Sequence, residues 1–142
     1  MTTFRTGRDL AADIRLRSLL SAAVGGGGTR LEAVLRRYRD DPATALLAAF
    51  RESEPLGVAG YERCADRIVL LHIATSMRGR GVGRRLVARI RADDPAVPIV
   101  AETDRSALGF YVALGFGVTS LGEKYPGVER FRVRLDSGDD SG

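Results

Sequence analysis

The 142-residue chain predicts a mixed α/β fold, a central twisted and mostly antiparallel sheet of six or seven strands with helices on both faces. Three observations carry this. Residues 67–90 read as a buried strand, a glycine-arginine turn and an amphipathic helix. The segments around Ser53-Glu54-Pro55 and Cys64-Ala65-Asp66 are too short to hold a crossover helix, so the strands they join run antiparallel. Phe131, Val133 and Leu135 alternate with Arg130, Arg132 and Arg134, the period of a strand with one wet face.

Taken in order, residues 1–5 predict a short first strand. Thr6-x-x-Asp9 predicts the capped start of a helix over about 8–23, with Leu16, Leu19, Leu20 and Ala23 as its apolar face. Gly25 to Gly28 end it, either as a flexible linker or as a mobile flap. A second helix opens at Thr29-x-x-Glu32, where Leu31, Val34, Leu35 and Tyr38 recur at helical spacing. Asp40-Asp41-Pro42 stops it, because proline restricts the residue before it and cannot continue the ladder. Strands follow at 43–51, 55–63 and 67–75. In the last, Ile68 to Ala74 is apolar but for His72, as expected of a strand buried on both faces. Val82, Leu86, Val87 and Ile90 then mark a helix ending near Asp93, and Ile99 to Ala101 a short strand. Ala107, Phe110, Tyr111 and Leu114 share a helical face, with Gly115 in the position of a C′ glycine. Val118 to Leu121 and Arg130 to Leu135 are the last strands.

One domain over residues 1–136 accounts for this pattern, followed by a disordered acidic tail at 137–142. Hydrophobic residues make up 44% of the chain, yet no apolar run approaches the ~20 residues that span a bilayer, and no signal peptide follows Met1. A cytoplasmic protein, monomer or homodimer, with no membrane partner is the expectation. Cys64 is alone, which excludes an intrachain disulfide, and it reads as a core residue on an apolar strand. The net charge is +4, and of 22 basic residues only Lys124 is lysine. The arginines are spread along the chain without interleaved aromatics, which favours an anionic ligand over nucleic acid.

The segment Arg78-Gly79-Arg80-Gly81-Val82-Gly83 joins strand to helix. Glycine permits a tight turn and a close ligand, the first-turn N–H groups of a helix point outward, and Arg78, Arg80, Arg84 and Arg85 add charge, so the loop is an anion site. A nucleotide-hydrolysing phosphate loop needs a lysine after the glycines, and none is present. A dinucleotide turn fits Gly79, Gly81 and Gly83, with Glu102 at the distance of a ribose contact, but such a fold needs more parallel strands than this chain supplies. The segment also resembles the pyrophosphate loop [RQ]-x-x-G-x-[GA] of the GNAT superfamily of acyl-CoA-dependent N-acetyltransferases. Downstream, Asp104-x-x-Ala107-x-x-Phe110-Tyr111-x-x-Leu114-Gly115-Phe116 resembles that family's second signature, with Asp104 where asparagine is usual. The resemblance is specific over residues 67–116 and looser over the rest.

The resemblance implies a domain that binds acetyl-CoA and acetylates a primary amine on a small molecule or peptide, by direct attack. The implied cofactor contacts are Arg78, Gly79, Arg80, Gly81, Val82 and Gly83 at the pyrophosphate, with Ile73 and Thr75 on the central strand beside pantetheine and the acetyl carbonyl. Asp104 keeps a short acceptor at its helix start but lacks the amide donor. Tyr111 matches the family's general acid toward the CoA sulfur; a phenol is protonated at neutral pH and can donate to a departing thiolate. Deprotonating a lysine-like amine at pH 7 costs about 4.6 kcal/mol. The histone-acetylating branch places a carboxylate where this chain has Arg67, with Asp66 beside it; His72 and Glu102 are the remaining candidates to take the proton through water. Cys64 precedes the cofactor strand and lacks a histidine partner in sequence, which argues against an acyl-enzyme. Two alternatives stand beside this reading: an acyl-CoA-binding sensor without catalysis, and an NAD-binding oxidoreductase.

Overall fold

The computed structural model describes residues 1–77 and 79–137. Its strands form one sheet of order β1-β2-β3-β4-β5-β7-β6. They are β1 (Thr2–Thr6), β2 (Thr44–Arg51), β3 (Glu54–Arg63), β4 (Ile68–Thr75), β5 (Ile99–Asp104), β6 (Gly117–Tyr125) and β7 (Val128–Leu135). Every neighbouring pair is antiparallel except β4 and β5. The short connections between β2, β3 and β4 fold as expected. Residues 138–142 of the acidic tail, expected to be disordered, lie outside the described residues.

The helices are α1 (Ile14–Val24), α2 (Gly28–Asp40), α3 (Val82–Asp93) and α4 (Arg105–Ala113). Strand alternation divides the core between them. Leu46, Ala48 and Phe50 of β2 pack with Leu16, Leu20, Leu31, Leu35 and Tyr38 under α1 and α2. Leu47 and Ala49, one residue out of phase, pack on the opposite face with Leu86, Val87 and Ile90 of α3, and with Tyr111 of α4. Because both faces are covered, the central strands are apolar almost throughout.

Several local expectations are corrected. The first helix does not start at Thr6-x-x-Asp9: a 3₁₀ turn over Arg8–Ala12 tucks Leu10 into the core, and α1 begins after Asp13, whose carboxylate accepts the Arg15 N–H at 2.9 Å. α2 lacks the capping box expected at Thr29, since its N-cap is Gly27 and Glu32 instead forms an ion pair with Arg17 of α1. Cys64 is not on a strand; it sits half-buried in the turn between β3 and β4. Ala107 and Phe110 do not share the buried face of α4, where Tyr111 alone is buried. Strands β5 and β6 extend well beyond the short runs expected.

Candidate active site

Parallel strands β4 and β5 pair only through Ile68 with Ile99 and Val69 with Val100. Beyond that point β4 stays with β3 as far as Thr75, and β5 stays with β7 as far as Asp104. The sheet therefore opens as a wedge between the C-terminal halves of β4 and β5.

A strand's N–H and C=O at one residue point to one edge, and those of the next residue to the other. Ser76 N–H donates to Leu56 O of β3 at 2.9 Å. Two residues earlier, the Ala74 carbonyl also faces β3, 3.1 Å from where a Gly57 Cβ would lie. Ile73 and Thr75, out of phase with these, direct their backbone groups into the wedge, where no strand meets them.

A bulge sets this phase. Gly60 is opposite His72 and Tyr61 opposite Leu70, so Leu71 has no partner on β3. Leu70 packs toward α3, Leu71 toward the α1 side, and His72 reaches Tyr38 of α2 on that same side. Two successive side chains thus leave on one face, and Ile73 returns to the α3 face.

At the wide end of the wedge lies the glycine loop. Gly79 and Gly81 have φ of 76° and 74°, the left-handed region that glycine enters without strain, and a Cβ at either would meet nothing within 4 Å. Gly81 caps α3, and the first hydrogen bond back to it comes from Arg85 N–H at 3.1 Å. The amides of Val82, Gly83 and Arg84 are then the free donors of the first turn, at the positive end of the helix dipole. Gly83 has a packing role: a Cβ there would lie 2.8 Å from Cε1 of Phe110, so the bare backbone lets α4 approach α3. Of the loop arginines, Arg80 is exposed, whereas Arg84 donates to Ala113 O at 3.1 Å and Arg85 to Thr2 Oγ1 at 3.2 Å. The Arg78 contact expected from the sequence lies outside the described residues.

Tyr111 projects from α4 into the core beside Phe110 and Phe116, in edge-on contacts with ring centroids 5.1 and 5.2 Å apart. The residue is 6% exposed, and burial pushes its phenol up to about 12. No described residue hydrogen-bonds its hydroxyl. Asp104 caps α4, accepting from Ser106 N–H at 3.0 Å and Ala107 N–H at 3.3 Å. The Ser106 hydroxyl at 2.5 Å, with these amides, holds its carboxyl below the usual range.

The two candidate proton acceptors sit apart. Glu102 is exposed on β5, opposite Arg132, with which it forms a 3.7 Å ion pair. His72 is half-buried, and burial, then Arg30 and Arg37, lower its pKa, so it is neutral at pH 7. Its Nδ1 is 2.6 Å from the hydroxyl of Tyr38. Tyr38 was legible only as an apolar helix position; the signal that finds its hydroxyl is Gly60, a glycine in a strand interior, whose absent Cβ makes the room.

The family profile of the acetyltransferase (GNAT) domain matches residues 29–135. No curated protein sequence matches the chain. Among solved structures, the chain is similar to a GNAT-family protein of Desulfovibrio desulfuricans (18% identity, TM-score 0.79, covering 96% of this chain and 99% of that one). It is similar to the ribosomal-protein-S18-alanine N-acetyltransferase of Escherichia coli (15%, 0.78, 99% and 96%). It is also similar to an aminoglycoside 6'-N-acetyltransferase complexed with coenzyme A (16%, 0.76, 94% and 96%).

Proposed function

The chain belongs to the GNAT acetyltransferases, and on that premise we propose that it transfers an acetyl group from acetyl-CoA to a primary amine by direct attack. The observation that carries this reading is the wedge between β4 and β5, with a glycine-lined helix N-terminus at its end and a buried tyrosine beside it. Bound acetyl-CoA supplies the activated acetyl thioester. The site has room and donors for it: Gly79 and Gly81 leave open space, the first-turn amides of α3 with Val82 and Gly83 suit a pyrophosphate, and Arg80 adds charge.

Ile73 and Thr75 offer backbone groups into the wedge. Amide donors aimed where negative charge develops on a carbonyl oxygen are worth a few kcal/mol, because they need not reorganise during the reaction. Tyr111 holds its proton to about 12, and its hydroxyl has no hydrogen-bond partner among the described residues, the properties of a general acid toward a departing thiolate. Asp104 serves by capping α4, which fixes the start of the helix that carries Tyr111. Glu102 and His72 both belong to the face opposite α3, where an acceptor amine would approach. Cys64, in a turn at the other end of β4, has no part in the transfer.

The acceptor side lies between the α1–α2 turn and the turn at Tyr125-Pro126-Gly127, and it admits a small-molecule or peptide amine. The test is calorimetric titration with acetyl-CoA and with NAD, followed by thiol release with a panel of amines. Saturable acetyl-CoA binding with amine-dependent thiol release is the expected result. Binding of NAD alone would overturn the assignment, and acetyl-CoA binding without release for any amine would leave a sensor.

A further inference from the structure

We infer that Tyr38 locks neutral His72 with its proton on Nε2, which makes His72 a hydrogen-bond donor to the acceptor and leaves proton removal to another group. The inference deepens the acetyltransferase reading and rests on it for the role, though not for the hydrogen bond.

Nδ1 of His72 and the Tyr38 hydroxyl are 2.6 Å apart, so one proton lies between them. Tyr38 is 2% exposed, and among the described residues its hydroxyl has no hydrogen-bond partner besides this ring. A phenol carries a single proton. If Nδ1 bore hydrogen and donated to the phenol, the phenol's own proton would be buried without an acceptor, a penalty comparable to a lost hydrogen bond. If the phenol donates to a bare Nδ1, both groups are satisfied and the imidazole proton sits on Nε2.

The surroundings hold the pair in place. The rings meet edge-on with centroids 5.7 Å apart, and Gly60 opposite His72 leaves the space that the hydroxyl fills. The charges acting on the imidazole are cationic, Arg30 and Arg37 of α2. On the other elements packed there, charged groups are engaged elsewhere: Arg15 and Arg17 of α1 with Asp13 and Glu32, Glu62 of β3 with Arg37, and Arg63 of β3 with Asp94. Across the wedge, Glu102 is paired with Arg132. No described carboxylate is bonded to the ring to draw a second proton onto it. Nε2 has no hydrogen-bond partner among the described residues and belongs to a half-buried residue beside the wedge, so its N–H is available to a ligand oxygen or nitrogen.

Tyr38 is therefore a positioning residue, and the decisive experiment reads the imidazole directly. Nitrogen-15 spectra of the full chain at neutral pH should show the Nε2–H tautomer alone, and Tyr38→Phe should give a mixture of tautomers. In amine-dependent thiol release, His72→Gln, whose amide N–H stands in for Nε2–H, should stay within about threefold of wild type. His72→Ala should raise the acceptor KM on the order of tenfold with kcat little changed. An Nδ1–H tautomer in the wild-type protein overturns the inference. So does a His72→Gln variant as impaired in kcat as His72→Ala, or a wild-type acetylation profile whose acid limb disappears in His72→Gln. If the protein does not acetylate amines at all, the acetyltransferase reading fails while the tautomer result still decides the Tyr38 bond.

Discussion

Gly60→Ala isolates the contact on which the Tyr38–His72 pair depends. The new Cβ would lie 2.0 Å from the Tyr38 hydroxyl, 2.3 Å from Cζ and 2.9 Å from Cε1. Ordinary contact is near 3.5 Å, so the ring must retreat by about 1.5 Å. Tyr38 is 2% exposed and packed among Leu35, Leu46 and Val58, so only the cleft it lines with Thr44 and Tyr61 could take the displaced ring. Overpacking of this kind costs about 1–3 kcal/mol, and moving the hydroxyl sacrifices a bond worth about 1 kcal/mol. The lower chain entropy of alanine in the unfolded state returns roughly 0.4–1 kcal/mol. The net is a loss of about 2–3 kcal/mol. With an unfolding entropy of about 2.1 cal/mol/K per residue, that lowers Tm by roughly 7–10 °C. Thermal and urea unfolding measure it. In a Tyr38→Ala background the substitution should cost almost nothing, giving a coupling energy of about 2 kcal/mol. A Gly60→Ala protein as stable as wild type, or an undiminished cost without Tyr38, would refute the packing argument.

Three further outcomes are expected. Gly81→Glu forces a side chain into the left-handed region, at roughly 1–2 kcal/mol, and sets a carboxylate at the α3 N-terminus; calorimetry should show acetyl-CoA affinity reduced at least 100-fold on the order of the lost anion site, with circular dichroism unchanged. Tyr111→Phe should lower kcat by roughly 100-fold or more while shifting stability by less than about 1 kcal/mol, because no described residue depends on its hydroxyl. Since that phenol titrates only at about 12, the wild-type pH profile should show no alkaline loss attributable to it below about pH 11. Asp104→Ala should destabilise by about 1 kcal/mol at pH 7 through loss of the α4 cap, and Asp104→Asn by much less. The Asp104 carboxyl is depressed in the folded state, chiefly by the Ser106 hydroxyl, so its contribution is present above the unfolded carboxylate range and vanishes as pH falls through the folded pKa. Urea midpoints of wild type and Asp104→Asn should therefore converge only in acid.

What could be read from sequence was what local chemistry dictates. Short connectors forced β2, β3 and β4 to be antiparallel, the glycines of 79–83 announced a turn into α3, and Asp104 sat where a cap belongs. What escaped depended on partners distant in the chain. Glu32 looked like half of a capping box, but Arg17, fifteen residues earlier, takes its carboxylate. Thr6-x-x-Asp9 looked like a helix start, but Leu10 is buried in a 3₁₀ turn there and Asp13 is the residue that caps α1. Tyr38 and His72, thirty-four residues apart, meet only because α2 lies on the sheet above Gly60. Arg84 and Arg85 looked equivalent to Arg80, but the helix turns the first toward Ala113 and the second toward β1.

The wedge itself needs a physical cause, because closing it would satisfy backbone groups that now face no strand. Two commitments keep it open. β5 is bound along its whole length to β7, from Ile99 opposite Leu135 to Asp104 opposite Arg130, and cannot follow β4 without breaking that ladder. β4 in turn is redirected by its bulge: Leu71 is the extra residue, and the added local twist carries Ile73 and Thr75 away from β5 while β3 follows. Composition does not betray such a residue, since Leu71 is one more aliphatic in an aliphatic strand. Its effect is structural. Without Leu71, Leu70, His72 and Ile73 would alternate regularly between the two faces, and β4 would have the straight edge that a neighbouring parallel strand requires. A one-residue excess in β4 thus leaves two sets of amide and carbonyl groups held open on rigid strands, beside the α3 N-terminus, and rigid donors of this kind bind a ligand without first paying to be ordered.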